Sequence, residues 1–200
     1  MTLLKIKNLS LTIQGKEILK SVNLKIKKKE IYGLLGESGC GKSMTAAAIT
    51  KLLPNYSRLT GKINFENNDI VKTSETDMGA IRGNKISMIF QEPMTALNPL
   101  QTIGKQIAES LLIHTDTSRK NAKAMVAQTL SQVGLDPLII SPSRYPYQLS
   151  GGQRQRVMIA MAFILKPKLI IADEPTTALD VKTQAEILNL LKNLVKKENI

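Results

Sequence analysis

An α/β fold is predicted by three features of this 200-residue chain. A short apolar run, Ile31-Tyr32-Gly33-Leu34-Leu35, leads into the glycine-rich loop Gly36-Glu37-Ser38-Gly39-Cys40-Gly41-Lys42-Ser43, and helical spacing follows over residues 43–53 until Pro54. Two more runs, Ile86-Ser87-Met88-Ile89-Phe90 and Leu169-Ile170-Ile171-Ala172, are too short and too apolar for amphipathic helices and read as strands of a buried parallel sheet. Helix-periodic segments lie between and after them.

Ahead of the loop, residues 3–13 alternate apolar and polar side chains, with Leu4, Ile6, Leu9, Leu11 and Ile13 apolar. Residues 18–26 repeat the alternation beyond Gln14-Gly15-Lys16, which predicts an antiparallel hairpin region. Between the second and third apolar runs, Ile103, Ile107 and Leu111 share one helical face. A second helix is expected to start near Ser118, to turn Ala122, Val126, Leu130 and Val133 inward and to end at Gly134. Residues 92–148 are therefore expected to form a helical insert between two parts of one core, residues 1–91 and 149–200. Residues 183–197 place Ile187, Leu188, Leu191, Leu194 and Val195 at helical spacing, and a further strand is expected to follow Ile200 in a complete core.

Composition narrows the function classes. With 42% hydrophobic and 22% charged residues, the chain is far from the disordered regime. One cysteine, Cys40, cannot form an internal disulfide, and the N-terminal residues lack the apolar core of a signal peptide, so a reducing, cytoplasmic location is expected. The longest apolar runs fall short of the roughly 18 residues that cross a bilayer, so a membrane role requires a partner. A net charge of +12 suits a polyanion, but 4% aromatic residues and no Trp supply few stacking platforms for single-stranded nucleic acid. Lys25, Lys27, Lys28 and Lys29 read as a solvated turn before the first buried run.

Residues 36–43 match G-x-x-x-x-G-K-[ST], the loop that cradles nucleotide phosphates. Glycines allow successive backbone N–H groups to converge on phosphate oxygens, and the helix N-terminus adds a positive dipole. Lys42 is placed to reach the outer phosphates and Ser43 to ligate Mg²⁺, while Cys40 occupies a backbone slot with a structural role. The third run ends in Asp173-Glu174-Pro175, where an aspartate at a strand end helps hold Mg²⁺ and the next carboxylate can polarise an attacking water. Ser150-Gly151-Gly152-Gln153, at the start of a further helical pattern, is a second anion-binding design.

Leu149-Ser150-Gly151-Gly152-Gln153 resembles the signature sequence of the ATP-binding subunits of ABC transporters, and the resemblance covers essentially the whole chain. It implies an α/β P-loop ATPase core with an N-terminal antiparallel β-subdomain and a helical insert. It also implies head-to-tail pairing with a second ABC ATPase subunit or domain, so that Ser150, Gly151, Gly152 and Gln153 close in trans over ATP held by the partner's loop. Gln91 resembles the Q-loop glutamine, with a part in Mg²⁺ and water contacts, and Ala178-Leu179-Asp180 resembles the D-loop at the dimer interface. The stretches Phe90-Gln91-Glu92-Pro93-Met94-Thr95-Ala96-Leu97-Asn98-Pro99 and Tyr145-Pro146-Tyr147-Gln148 resemble the dipeptide, oligopeptide and nickel importer group. Within that group the wording is nearest to double-ATPase peptide importers of the microcin C type.

By this resemblance the chain is an ATP- and Mg²⁺-dependent energy-coupling subunit, peripheral on the cytoplasmic face of the membrane, with permease subunits as partners and no direct nucleic-acid role. The alternatives are an ABC-type ATPase of DNA repair or chromosome maintenance and a soluble ribosome-associated ABC protein, neither of which explains residues 92–99. Two departures stand out: Ile13 occupies the place of the aromatic residue that stacks on adenine in the family, and the family's switch histidine has no counterpart before Ile200. Poor turnover is therefore expected of these 200 residues alone.

Overall fold

The computed structural model describes residues 1–177 and 179–200, which divide into two compact units, Met1–Arg82 and Gly83–Ile200. In the first unit, β1 (Thr2–Ile13) pairs antiparallel with β2 (Lys16–Lys27) on one side and β3 (Ser57–Phe65) on the other. The short β4 (Asn68–Asp69) pairs with β3, giving the order β2-β1-β3-β4. Leu4, Ile6, Leu9, Leu11, Ile63 and Phe65 are buried, as the alternation in the first strand predicts. The step from Ile6 to Leu9 breaks strict alternation, and a register shift resolves it: Asn8 takes φ 49° and both apolar residues remain inside. Gly61 faces this irregularity at φ 98°, where an added Cβ would lie 2.4 Å from the Asn8 carbonyl oxygen.

Two helices complete this unit. α1 (Lys42–Thr50) begins directly after the glycine loop and buries Ala46, Ala48 and Ile49. It stops at Lys51 in the left-handed conformation, before Pro54 is reached. α2 (Glu75–Ile81) is capped by Ser74, whose side chain accepts from the Asp77 N–H, and Arg82 ties it back by donating from Nε to the Thr50 carbonyl at 2.7 Å.

The apolar run at residues 31–35 departs from expectation: it forms no strand, and Ile31 and Leu35 are 65% and 94% exposed. A strand exists only as half of a hydrogen-bonded ladder, and among the described residues none pairs with this run. β3 was not legible in the pattern, because residues 57–65 carry Gly61 and Lys62 in the middle of their alternation, and β4 and α2, of 2 and 7 residues, are too short to set up a period.

In the second unit, β5 (Ile86–Ile89) and β6 (Leu169–Ala172) pair in parallel, with Ile86 opposite Leu169 and Ile89 opposite Ala172, as expected of the two later runs. The intervening chain forms α3 (Pro93–Ala96), α4 (Ile103–His114), α5 (Arg119–Gln132), a 3-10 turn at Pro146–Gln148 and α6 (Gly151–Phe163). Ile103, Ile107 and Leu111 of α4 and Ala122, Val126 and Leu130 of α5 join one buried cluster with Val157, Ile159 and Phe163 of α6. The Ser118 side chain caps α5 as its position predicts.

α7 (Val181–Glu198) buries Ile187 and Leu194, while Leu191 and Val195 pack at the margin. Leu188 is 53% exposed, a departure from the expected inward stripe, because α7 is covered along a line narrower than its apolar face. Among the described residues, no helix is long and apolar enough to cross a membrane.

Candidate functional site

The glycine loop of the first unit is shaped by its own residues. Gly41 is the N-cap of α1 at φ 96°, and an added Cβ there would lie 2.4 Å from Leu19 Cδ2, so a side chain is excluded by both conformation and space. Lys42, the first helical residue, curls back: its Nζ donates to the carbonyl oxygens of Gly36 at 2.9 Å and Glu37 at 2.8 Å. The ammonium thus sits within a glycine-lined turn at a helix N-terminus. That donor set, a cation beside backbone N–H groups, matches an anion carrying several oxygens. Cys40 is exposed within the turn, and its N–H donates to the Glu37 carbonyl at 3.3 Å. Ser43 stands one residue into α1 and is half-buried.

In the second unit, the ends of β5 and β6 bring together residues distant in the chain. The Asp173 N–H donates to the Ile89 carbonyl at 3.0 Å, which extends the parallel pairing one step beyond Ala172 and fixes the Asp173 backbone at the strand end. Glu174 follows in the left-handed region at φ 44°, a conformation that is strained by about 1–3 kcal/mol for a residue with a side chain. Its carboxylate accepts from Gln91 Nε2 at 2.9 Å and from Thr177 Oγ1 at 3.2 Å, both at Oε2. Gln91 and Glu174, singled out separately in the sequence, are therefore hydrogen-bonded partners. Thr177 was missed, although its position three residues after a turn-forming carboxylate is a recognisable local hydrogen-bonding spacing.

The serine-glycine segment at α6 is a closed N-terminal cap. Ser150 Oγ accepts from the Gln153 N–H at 3.3 Å, and Gln153 Oε1 accepts from the Ser150 N–H at 3.0 Å, the reciprocal arrangement that Ser-x-x-Gln encodes. An added Cβ on Gly152 would come to 3.0 Å from Thr183 Cγ2, and one on Gly151 to 3.7 Å from Leu179 Cδ2. The glycines therefore let the first turn of α6 lie close against the segment that starts α7. Two arginines after the cap hold this helix: Arg154 donates from Nε to the Pro146 carbonyl at 2.8 Å and contacts Met94 Sδ. Arg156 donates to the Val133 carbonyl at 2.8 Å and pairs with Glu186 at 3.1 Å.

Asp180 caps α7, its carboxylate accepting from Thr183 Oγ1 at 2.6 Å and from the Thr183 N–H at 3.0 Å. The Thr183 hydroxyl first, and its backbone N–H second, hold the Asp180 carboxyl below the ordinary aspartate value. Of the segment Ala178-Leu179-Asp180, Ala178 lies outside the described residues. Oxygen donors suited to Mg²⁺ are present in Ser43 and Asp173, and among the described residues there is no cluster of three or more His, Cys, Asp or Glu that could hold a metal unaided. Mg²⁺ held by one or two protein oxygens plus substrate phosphates suits a hydroxyl or a carboxylate of this kind in either unit.

Residues 19–177 match the ABC transporter family. The dipeptide transport ATP-binding protein DppD of Bacillus subtilis is 48% identical over 186 residues, which are 92% of this chain and 56% of that protein. The oligopeptide transport ATP-binding protein OppD of the same organism is 46% identical over 98% of this chain and 56% of its own length. An uncharacterized ABC transporter ATP-binding protein, YejF of Escherichia coli, is 46% identical over 100% of this chain and 39% of its own length. The chain thus spans about half or less of the curated relatives it matches. Among solved structures, a dimeric ATP-binding cassette in a post-hydrolysis state bound to ADP and Pi superposes with a TM-score of 0.84 at 32% identity, covering 98% of this chain and 84% of that one. The fold is that of an ABC ATPase cassette with an N-terminal antiparallel β-sheet. With the family matched over most of its length and relatives at nearly half identity, the chain belongs to the ABC transporter family.

Proposed function

We propose that this chain is the ATP-binding and ATP-hydrolysing part of an ABC importer for peptides, coupling the nucleotide cycle to permease subunits at the cytoplasmic face of a membrane. The hydrogen bond between Gln91 and Glu174, at the ends of adjacent parallel strands, carries the reading: it orients a carboxylate of the kind that can activate a water. The importer class and a peptide cargo, rather than nickel, are favoured by relatives named for dipeptide and oligopeptide transport.

In this reading residues 1–91 and 149–200 form the ATPase core and residues 92–148 its helical insert. Gly36, Glu37, Ser38, Gly39, Cys40 and Gly41 wrap the phosphates with backbone N–H groups, and Lys42 exchanges the Gly36 and Glu37 carbonyls for outer phosphate oxygens. Ser43, Asp173 and Gln91 hold Mg²⁺, which neutralises charge on the phosphates when bound. Glu174 orients the attacking water and takes its proton, with Gln91 keeping the carboxylate in place. Ser150, Gly151, Gly152 and Gln153 contact the nucleotide of a head-to-tail partner, and Asp180 lies at that interface.

Mixed dimers test the arrangement. A Gly151→Asp chain combined with a Lys42→Ala chain, each as the complete protein, regains one intact composite site and traps ATP there when hydrolysis is blocked. Trapping no greater than in either parent dimer rules out action in trans. Copurification of the complete protein with permease subunits, and stimulation of its ATPase rate by them, tests the transporter assignment separately.

A further inference from the structure

The outward face of the first unit's sheet carries a concentration of positive charge that the proposed nucleotide cycle does not use. On the register of the strands, Lys5 of β1 lies directly opposite Lys25 of β2, and Lys7 of β1 directly opposite Lys62 of β3. Lys25 and Lys27, expected in a solvated turn, are instead strand residues of β2, where Lys27 continues the same face two residues beyond Lys25, and Arg58 stands further along β3 opposite Thr12. Lys7, Lys25, Lys27 and Lys62 are exposed and Lys5 is half-buried. Among the described residues none of these five lysines is ion-paired. The acids near them stand at the margins: Glu17 opposite Thr12, Asp69 on the edge strand opposite Asn64, Glu66, which directly follows β3 and whose N–H donates to the Leu3 carbonyl at 2.8 Å, and Glu30, whose carboxylate accepts from the Lys27 N–H.

Like charges directly opposite on adjacent strands, about 4.8 Å apart, weaken a sheet, and two such pairs share this face. An extended anionic surface laid on the face would relieve both repulsions at once. The lysine cluster presents point charges, with no aromatic ring to stack on a base, so single-stranded nucleic acid finds no platform here. Among these residues Arg58 alone, further along β3, carries a planar fork of the kind that reads base edges. A dense array of phosphates with no sequence to read is what lysines recognise best, and a cluster of four or more beside a bilayer has the character of an anionic-lipid contact.

We infer that the Lys5, Lys7, Lys25, Lys27 and Lys62 face of the β2-β1-β3 sheet docks on the phosphates of anionic lipid headgroups. The inference rests on the importer reading for its placement beside a membrane, and its own observation is the pairing of like charges across the strands. The contact is electrostatic and superficial, adds to the hold exerted by permease subunits and leaves the nucleotide loop untouched.

The test is sedimentation of the complete protein with vesicles of phosphatidylcholine alone and of phosphatidylcholine with phosphatidylglycerol in equal parts. Binding is expected only to the anionic vesicles and is expected to vanish at about 1 M salt, where the Debye length is about 3 Å. The Lys5→Glu/Lys62→Glu variant places a carboxylate opposite Lys25 and another opposite Lys7, so it keeps or improves the stability of the sheet while losing most of the charge. It should bind anionic vesicles at least about tenfold more weakly, with ATP affinity unchanged. The control Lys105→Glu/Lys123→Glu, equal in charge change and placed on exposed positions of α4 and α5, should stay within about twofold of the natural protein.

Equal weakening in both variants, or equal binding to neutral vesicles, overturns the proposal. So does selective loss of double-stranded DNA binding by the sheet variant with vesicle binding intact. A protein that copurifies with its permease yet shows no anionic-vesicle preference refutes the lipid contact alone, whereas failure to copurify counts against the importer reading.

Discussion

Gln91 Nε2 donates to Glu174 Oε2 at 2.9 Å, joining the ends of β5 and β6 across 83 residues of sequence. The bond restrains a carboxylate whose backbone already sits in the left-handed region and whose same oxygen accepts from Thr177. In the proposed role of general base, Glu174 would be oriented before substrate arrives by two donors on one oxygen, and in phosphoryl transfer positioning supplies much of the rate. In the complete protein, Glu174→Gln should therefore lower steady-state ATPase activity by about 10²–10⁴-fold while leaving ATP affinity nearly unchanged. Gln91→Ala removes one of the donors to the carboxylate without removing the carboxylate and should lower activity by roughly ten- to a hundredfold. Phosphate-release rates and equilibrium nucleotide binding on both variants check the order, and wild-type turnover in Glu174→Gln would refute the base assignment.

Lys42 makes two hydrogen bonds inside its own loop, to the carbonyls of Gly36 and Glu37. Both are exposed, so their loss should change the melting temperature little. The loss of a charged donor to phosphate should instead weaken ATP binding by about ten- to a hundredfold, corresponding to about 1.5–3 kcal/mol for a hydrogen bond to a charged group. Titration with a fluorescent ATP analogue, alongside thermal unfolding of Lys42→Ala, separates the two effects.

Gln155 is 1% exposed in α6, and its Nε2 finds no hydrogen-bond partner among the described residues. A buried donor left unpaired costs stability, whereas an apolar group of similar shape does not. Gln155→Met should be neutral or stabilising by about 1 kcal/mol. Gln155→Glu places a charge in the same site and should be clearly destabilising. Urea unfolding of the two variants distinguishes the outcomes, and a marked loss of stability in Gln155→Met would show that the amide is satisfied.

Asp180 at the head of α7 has its carboxyl held below the ordinary value by the Thr183 hydroxyl and, next, the Thr183 N–H. A group whose value is depressed on folding contributes stability that is complete above its unfolded value and is lost as pH falls through the lower folded one. The contribution of this cap should therefore disappear only on the acid side of the ordinary aspartate range. Thr183→Val removes the hydroxyl, keeps the N–H and should move the Asp180 titration part of the way upward. Carbon-detected NMR titration of the carboxyl reads the shift, and no movement would assign the depression to the backbone alone.

Local chemistry was legible where it depends on near neighbours in the chain. The helical faces of Ile103, Ile107 and Leu111 and of Ala122, Val126 and Leu130 follow from three- and four-residue spacing. The caps at Ser118 and Ser150 follow from a side-chain oxygen placed three residues before an N–H. Glycine at position 41 and lysine at 42 match a phosphate-loop pattern because the chemistry that pattern requires, consecutive backbone N–H groups beside one ammonium, comes from near neighbours in the chain.

Tertiary structure alone decided what depends on distant partners. The apolar composition of residues 31–35 suggests a strand, but strand formation needs a second chain segment to complete the ladder, and the described residues provide none. Conversely, residues 57–65 form β3 despite a poor pattern, because β1 offers them its free edge and Gly61 tolerates the close approach of Asn8. Leu188 belongs to the apolar stripe of α7 by spacing yet remains 53% exposed, since burial requires a covering surface as well as an apolar side chain. Gln91 and Glu174 were each recognisable from local sequence, but their hydrogen bond arises only when parallel pairing of β5 with β6 sets two strand ends side by side.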